Sequence, residues 1–225
     1  MALNASKITG TGGGTQAKVL DPGNYPARVA QVIDLGLQAQ RPYEGKEKAP
    51  ANEIMVTYEL VTEFLEDEDG NPDESRPRWI SERFPLFSLK SERAKSTGRY
   101  LAIDPGVDCG GDWSLLVGKP CLVAVVNNVS KSNGKTYNNV GGVSQPIKGM
   151  VVPELVNEPK VFDLESPDLE VFESLPDWIK DIITGNLEYQ GSALQAAIEG
   201  TPKAGDNGGV YDSDDTPVPA DDVPY

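Results

Sequence analysis

Alternation of apolar and polar positions predicts a chain built mainly from β-strands. The clearest example is the segment 53–64, where Ile54, Val56 and Tyr58 occupy every second position and so share one face of an extended strand. Strand patterns occur in five segments: 25–35, 53–64, 78–87, 121–129 and 136–143. The fourth is almost continuously apolar, as expected of a buried strand. Asn133-Gly134 predicts a tight hairpin between the last two strands.

The sequence predicts helices in three segments. We predict a short helix over 89–103 with Ser88 as its N-cap, between the third and fourth strands. A second helix is predicted around Leu175–Ile183, where apolar residues recur three and four positions apart, with Gly185 ending it. A third is predicted over 192–199. The segment 36–52, which contains Pro42, Gly45 and Pro50, is predicted to be a loop.

These elements divide the chain into four parts. We predict a flexible N-terminal arm over 1–22, a β-domain over 23–150, a helical extension packing on it over 151–200, and a disordered acidic tail over 201–225. The order strand, strand, strand, helix, strand, strand is typical of the OB-fold, a five-stranded Greek-key barrel. Such barrels bind oligonucleotides on strands 2 and 3 and on the loops that join strands 1–2 and 4–5.

Charge is distributed unevenly along the chain. The formal net charge is −15, yet residues 1–150 hold 17 basic and 18 acidic residues, whereas residues 151–225 hold 3 and 17. Within the first part, the stretch 63–74 contributes seven acidic residues and no basic one. The rest of the β-domain is therefore locally basic. This pattern is typical of a protein that binds a polyanion and carries an acidic competitor for it.

Composition excludes several kinds of chemistry. The chain has no histidine, so imidazole-based catalysis and imidazole metal ligation are absent. Its two cysteines, Cys109 and Cys121, cannot alone form a structural zinc site and are predicted to be reduced thiols. We predict no catalytic residues, no metal and no cofactor. No apolar run is long enough for a membrane span and no secretory signal is evident, which favours a cytoplasmic location.

Cations and aromatic residues coincide with both predicted binding loops. The predicted single-strand-binding residues combine phosphate-neutralising cations with rings that can stack on bases: Arg41, Tyr43, Lys46, Lys48, Arg78, Trp79, Arg83, Lys131, Lys135 and Tyr137. Trp79 shares the face of Arg83, so either base stacking or core packing is open to it. Tyr58 lies on the apolar face of its strand and is predicted to be core, and Trp113 is predicted to plug the barrel.

The C-terminal end resembles the tip of bacterial single-stranded-DNA-binding proteins. Aspartates, an aliphatic residue, proline and a terminal aromatic residue follow one another there: Asp221, Asp222, Val223, Pro224 and Tyr225. The acidic, aromatic-ended tail is also similar to that of T7-type phage single-stranded-DNA-binding proteins. More loosely, residues 24–185 resemble phage-encoded single-stranded-DNA-binding proteins through GxYPARV, PANEIMVTYEL, RWISERFPLF and LPDWIKDII.

The resemblance implies that the tip recruits replication and recombination proteins, and that the chain works in the host cytoplasm. It predicts a non-enzymatic protein that coats single-stranded DNA, and it leaves homo-oligomerisation open. Two other functions also remain open. One is a β-rich virion or assembly protein. The other is a carboxylate-dependent nuclease using Asp104, Asp108 and Asp112, although Pro105 and Gly110-Gly111 disfavour the helix that this spacing needs.

Overall fold

Antiparallel strands account for most of the fold. The computed structural model describes residues 18–200. Its strands are β1 (Gly23–Tyr43), β2 (Lys46–Glu66), β3 (Pro72–Pro85), β4 (Pro120–Val129), β5 (Thr136–Ser144) and β6 (Lys160–Phe162). Its α-helices are α1 (Lys95–Ile103), α2 (Leu169–Glu173), α3 (Asp177–Thr184) and α4 (Ala193–Gly200).

Five strands form one curled antiparallel sheet in the order β3-β2-β1-β4-β5, and the short β6 runs parallel to β1. The two outer strands, β3 and β5, approach each other with Cα atoms within 8 Å although they form no ladder, so the sheet curls into a half-barrel. Helix α1 lies against β3, β4 and β5 and covers the gap between the sheet edges. The predicted mainly β class with a mid-chain helix is confirmed at this level.

The inner face of the sheet holds the main core. Tyr58 is completely buried, and its hydroxyl donates to Glu82 Oε1 at 3.0 Å. Trp113 is also buried, with its ring 5.5 Å from those of Phe84 and Tyr100. Both were predicted to be core residues, and both predictions are confirmed.

One buried carboxylate ties α1 to the sheet. Glu82 accepts from Arg99 Nε and Lys95 Nζ, both at 2.8 Å, in addition to the Tyr58 hydroxyl. These partners balance a charge that would otherwise be costly inside the sheet. Cys121 lies nearby as a free thiol whose pKa is raised to about 12, first by burial and then by the charge of Glu82. This thiol is therefore unreactive at neutral pH.

The outer face carries a second core, formed with the chain that follows β5. Ile33, Leu35 and Met55 project from β1 and β2 and pack with apolar residues of β6, α2, α3 and α4. Helix α3 begins after Pro176 and ends at Gly185. The sequence did not predict β6 or α2, which are too short to show a period. An Asp168 side chain caps α2 by accepting from the N–H groups of Glu170 and Val171.

Several boundaries of strands and helices differ from the prediction. The segment 36–52 is not a loop, because β1 and β2 continue through it as paired strands. Helix α1 begins after Ala94 and not after Ser88, since residues 88–94 form turns. In the predicted arm, Leu20 is held by Asn138, whose Oδ1 accepts from its N–H at 2.8 Å. The other arm residues, 1–17, and the predicted tail, 201–225, lie outside the described residues.

Candidate nucleic-acid interface

A two-stranded ribbon extends β1 and β2 beyond the rest of the sheet. Strand β3 pairs with β2 only as far as Glu53, so residues 40–50, here called the ribbon, have no third strand beside them. The ribbon turns at Glu44 and Gly45, whose φ angles are 50° and 74°. Positive φ at both central residues is the geometry of a tight hairpin turn. Every residue from 41 to 50 is exposed to solvent.

One face of the ribbon brings together three predicted binding residues. Tyr43 lies opposite Lys46, and Lys46 and Lys48 point to the same side because strand side chains alternate. The Lys48 ammonium lies 5.0 Å from the centre of the Tyr43 ring, whose side chain is 61% exposed. Glu47 points to the opposite face by the same alternation. Arg41 lies beside them on the ribbon.

Arg83 continues this face from the ribbon onto β3. Its guanidinium pairs with Glu53, which also accepts from Gln40 Nε2 at 2.7 Å. Gln40 in turn lies directly opposite Lys48 in the β1–β2 ladder. Cross-strand partners share a face, so Arg83, Gln40 and Lys48 lie on one side of the sheet.

Trp79 lies on the same face of β3, four residues before Arg83. The residue is 43% exposed, and its ring Nε1 donates to Glu59 Oε2 at 3.0 Å. The ring is therefore a surface group held by a hydrogen bond and is not part of the core. We call the surface formed by Trp79, Arg83 and the Tyr43 face of the ribbon the ribbon face.

Arg78 does not join the ribbon face. It lies opposite Leu60 on the other side of β3, where Leu60 is part of the core. Partial burial lowers the pKa of Arg78, and the nearby Glu63 and Glu66 counteract that effect. Two carboxylates therefore neutralise the charge around this guanidinium.

The β4–β5 turn lies at the other end of β1. Lys131 and Lys135 belong to this turn, which is closed by a hydrogen bond from Ser130 N to Lys135 O at 2.8 Å. The Tyr137 hydroxyl accepts from Asn133 Nδ2 beside it. Because β4 runs antiparallel along the start of β1, this turn extends past Gly23, whereas the ribbon lies at the end of β1.

The two predicted binding loops are therefore not neighbours along the sheet. About 20 strand residues separate them, a path on the order of 60 Å along β1. The acidic turn between β2 and β3 extends from the same end as Lys131 and Lys135, because β2 also runs antiparallel to β1. The structure places Arg83 and Trp79 on the same face of the sheet as the ribbon residues. Trp79 lies opposite Glu59, about 11 residues along β2 from Lys48 and so on the order of 36 Å from it, and the β4–β5 group lies farther away at the opposite end of β1.

The chain after β5 covers the middle of the outer face. Glu59 is fully buried on β2 and accepts from Val156 N and Asn157 Nδ2, both at 2.7 Å. This covered strand is part of the surface that an OB-fold would use for binding. The ribbon face remains open along one side of this cover. The sequence predicts that residues 151–200 pack on the β-domain, but it does not predict which strand they cover.

The three aspartates of the nuclease alternative do not form a metal site. Asp104 is buried and accepts from Cys109 N at 2.8 Å and from Tyr100, and it also pairs with Lys119. The Cys109 hydrogen bond, with these partners, holds the pKa of Asp104 below its usual value. Within residues 18–200, no group of three or more Asp, Glu, Cys or His side chains is placed to hold a metal ion.

The fold and surface define a mainly β protein with a curled five-stranded sheet and an exposed cationic and aromatic ribbon. No α-helix in the described part of the chain is long and apolar enough to cross a membrane. Comparison with protein-family models, with curated proteins and with solved structures found no match for this chain.

Proposed function

We propose that this protein binds single-stranded DNA without sequence preference, during DNA replication or recombination, and catalyses no reaction. The strand lies along the ribbon face. The acidic end of the chain, Asp221 to Tyr225, recruits partner proteins. This tip lies outside the described residues, and its role rests on its resemblance to the tips of bacterial single-stranded-DNA-binding proteins.

The fold supports this proposal through its connectivity. In an OB-fold, strands β1, β2 and β3 form a meander, a helix follows β3, and β4 pairs with the start of β1. The strand order here and the place of α1 at the gap between the sheet edges match that arrangement. This agreement is consistent with an OB-like barrel and supports the proposal at that level.

The observation that carries the proposal is the exposed ribbon. Isolated two-stranded ribbons are marginally stable in water, so the ten exposed residues 41–50, which are held as a ribbon, indicate a surface shaped for a partner. Pro42 and Pro50 both fall where the β1–β2 ladder shifts register, and neither has an N–H to offer to an added strand. The ribbon is therefore suited to contacts through side chains and not to strand addition.

The side chains of the ribbon face suit an unpaired strand. Lys46 and Lys48 can neutralise phosphates, whereas the charge of Arg83 is already balanced by Glu53. The Tyr43 and Trp79 rings can stack on bases for roughly 1–3 kcal/mol each. Every base has a stackable face, so this mode does not depend on sequence. Bases inside a duplex are already stacked and cannot use the rings, which gives a preference for single strands.

A titration of a fluorescent oligonucleotide with the full chain tests the proposal. Fluorescence anisotropy is measured with the same sequence in single- and double-stranded form over a series of salt concentrations. We expect the single strand to bind at least about tenfold more tightly, because each stacked base contributes roughly 1–3 kcal/mol. Affinity should fall as salt rises, since counterions are released from phosphates. Equal affinity for both forms, or no binding at low salt, would refute the proposal.

A further inference from the structure

A groove with an apolar floor opens beside the base of the ribbon. Its volume is about 570 Å³, and it lies between the end of the inner face of the sheet and the chain around β6. Its apolar lining includes the exposed Leu86, the half-buried Val161 and Leu164, and the buried Ile54 and Trp113. Gly36 and Asn52, the residues from which the ribbon extends, border it as well.

Carboxylates surround this apolar floor. Five acidic residues line the groove: Asp34, Asp112, Asp163, Glu165 and Glu188. None of its lining residues within 18–200 is a lysine or an arginine. Burial raises the pKa of Asp34, and hydrogen bonds from the backbone N–H groups of Gly36 and Leu164 oppose that rise. The neighbouring charges of Asp163 and Glu165 add smaller upward contributions. Asp34, Asp163 and Glu165 are thus close enough for their charges to interact, and a cation placed among them would relieve the repulsion. We call this surface the acidic groove.

We infer that the acidic groove receives the ribbon of a second copy of this chain. The ribbon presents one exposed ring, Tyr43, and two ammonium groups, Lys46 and Lys48, on a single face. The ring matches the apolar floor, and the ammonium groups match the surrounding carboxylates. The two surfaces are complementary in polarity and opposite in charge, which favours association and fixes its orientation.

The position of the groove is compatible with a reciprocal contact. The groove borders the base of the ribbon, and the ribbon reaches about 20 Å from Asn52 to Lys46. Two copies related by a twofold axis can therefore each lay their ribbon in the groove of the other. Such an isologous contact closes on itself and stops at a dimer. Single-stranded DNA would compete for the same ribbon, so the dimer would be the DNA-free form.

A charge exchange tests this pairing without any DNA. One variant carries Lys46→Glu and Lys48→Glu on the ribbon, and the other carries Asp163→Lys and Glu165→Lys in the groove. Sedimentation velocity over a concentration series at low salt should show a dimer for the native chain. Each variant alone should associate at least about tenfold more weakly, because like charges would then face each other. An equimolar mixture of the two should dimerise again, since each ribbon then meets a groove of opposite charge.

Two further variants keep the test decisive. Tyr43→Ala changes only an exposed ribbon residue and should weaken the native dimer whether or not the groove variant folds. Lys90→Glu with Lys148→Glu changes the net charge equally at exposed positions elsewhere and should leave the dimer intact. A native chain that stays monomeric, or a mixture of folded variants that does not associate, overturns the inference. A monomeric chain that still binds DNA would leave the proposed function standing.

Discussion

Replacing Lys46 and Lys48 together by glutamate is expected to weaken single-stranded DNA binding by roughly 30- to 100-fold at low salt. Both ammonium groups lie on the ribbon face beside Tyr43, where a strand stacked on the ring would place its phosphates. The change removes two phosphate contacts and introduces two repulsive charges. The slope of log affinity against log salt should become shallower by about 1.4, since each contact to a single strand contributes about 0.7. Anisotropy titrations of the variant and the native chain measure both quantities.

A matched control variant separates the effect of the ribbon lysines from the effect of changing the total charge of the protein. Lys90→Glu with Lys148→Glu gives the same net charge but alters exposed positions off the ribbon face. We expect an affinity loss of less than about threefold for this control, as for a distant rim charge screened by salt. If both double variants lost the same affinity, the ribbon would have no special part in binding.

Replacing Glu59 by alanine is expected to lower the free energy of unfolding by about 3–5 kcal/mol. The buried carboxylate accepts from Trp79 Nε1, from the backbone N–H groups of Val156 and Asn157, and from Asn157 Nδ2. Alanine would leave these donors without an acceptor and create a cavity beneath the chain that covers the sheet. Urea denaturation followed by circular dichroism measures the change.

Glu59→Gln serves as the conservative comparison. The amide keeps one acceptor oxygen and nearly the same volume, so we expect a smaller loss than for alanine. The amide also places an NH₂ group among hydrogen-bond donors, so we still expect some loss in the free energy of unfolding. A loss below about 1 kcal/mol for the alanine variant would mean that water readily replaces the carboxylate, and that the chain at 156–157 is not fastened to the sheet as described.

The period-2 patterns predicted most of the sheet because burial of one face is a local property of a strand. Tyr58 was placed in the core by its neighbours in sequence alone, and the structure buries it completely. The ribbon could not be predicted in the same way. Pro42, Gly45 and Pro50 are turn-forming residues, and they fit extended strands here only because the ladder shifts register at both prolines.

Locating the candidate site requires knowing which face of the sheet each residue occupies, which strands pair, and what covers them. A sequence shows these only in part. Alternation already separates Arg78 from Trp79 and Arg83, and the structure places Arg78 on the other face beside Glu63. The distance between the ribbon and the β4–β5 turn follows from antiparallel pairing of β4 with the start of β1. The cover over Glu59 comes from residues about 100 positions later in the chain, and no local pattern predicts such a contact.

Mapping the contact of DNA on the protein is the most direct measurement of where the strand lies. A single-stranded oligonucleotide that contains 5-bromodeoxyuridine is crosslinked to the full chain by ultraviolet light, and the modified peptides are identified by mass spectrometry. We expect crosslinks at Tyr43 and Trp79, the two exposed rings of the ribbon face. Crosslinks confined to Tyr137 and the β4–β5 turn would contradict binding along the ribbon.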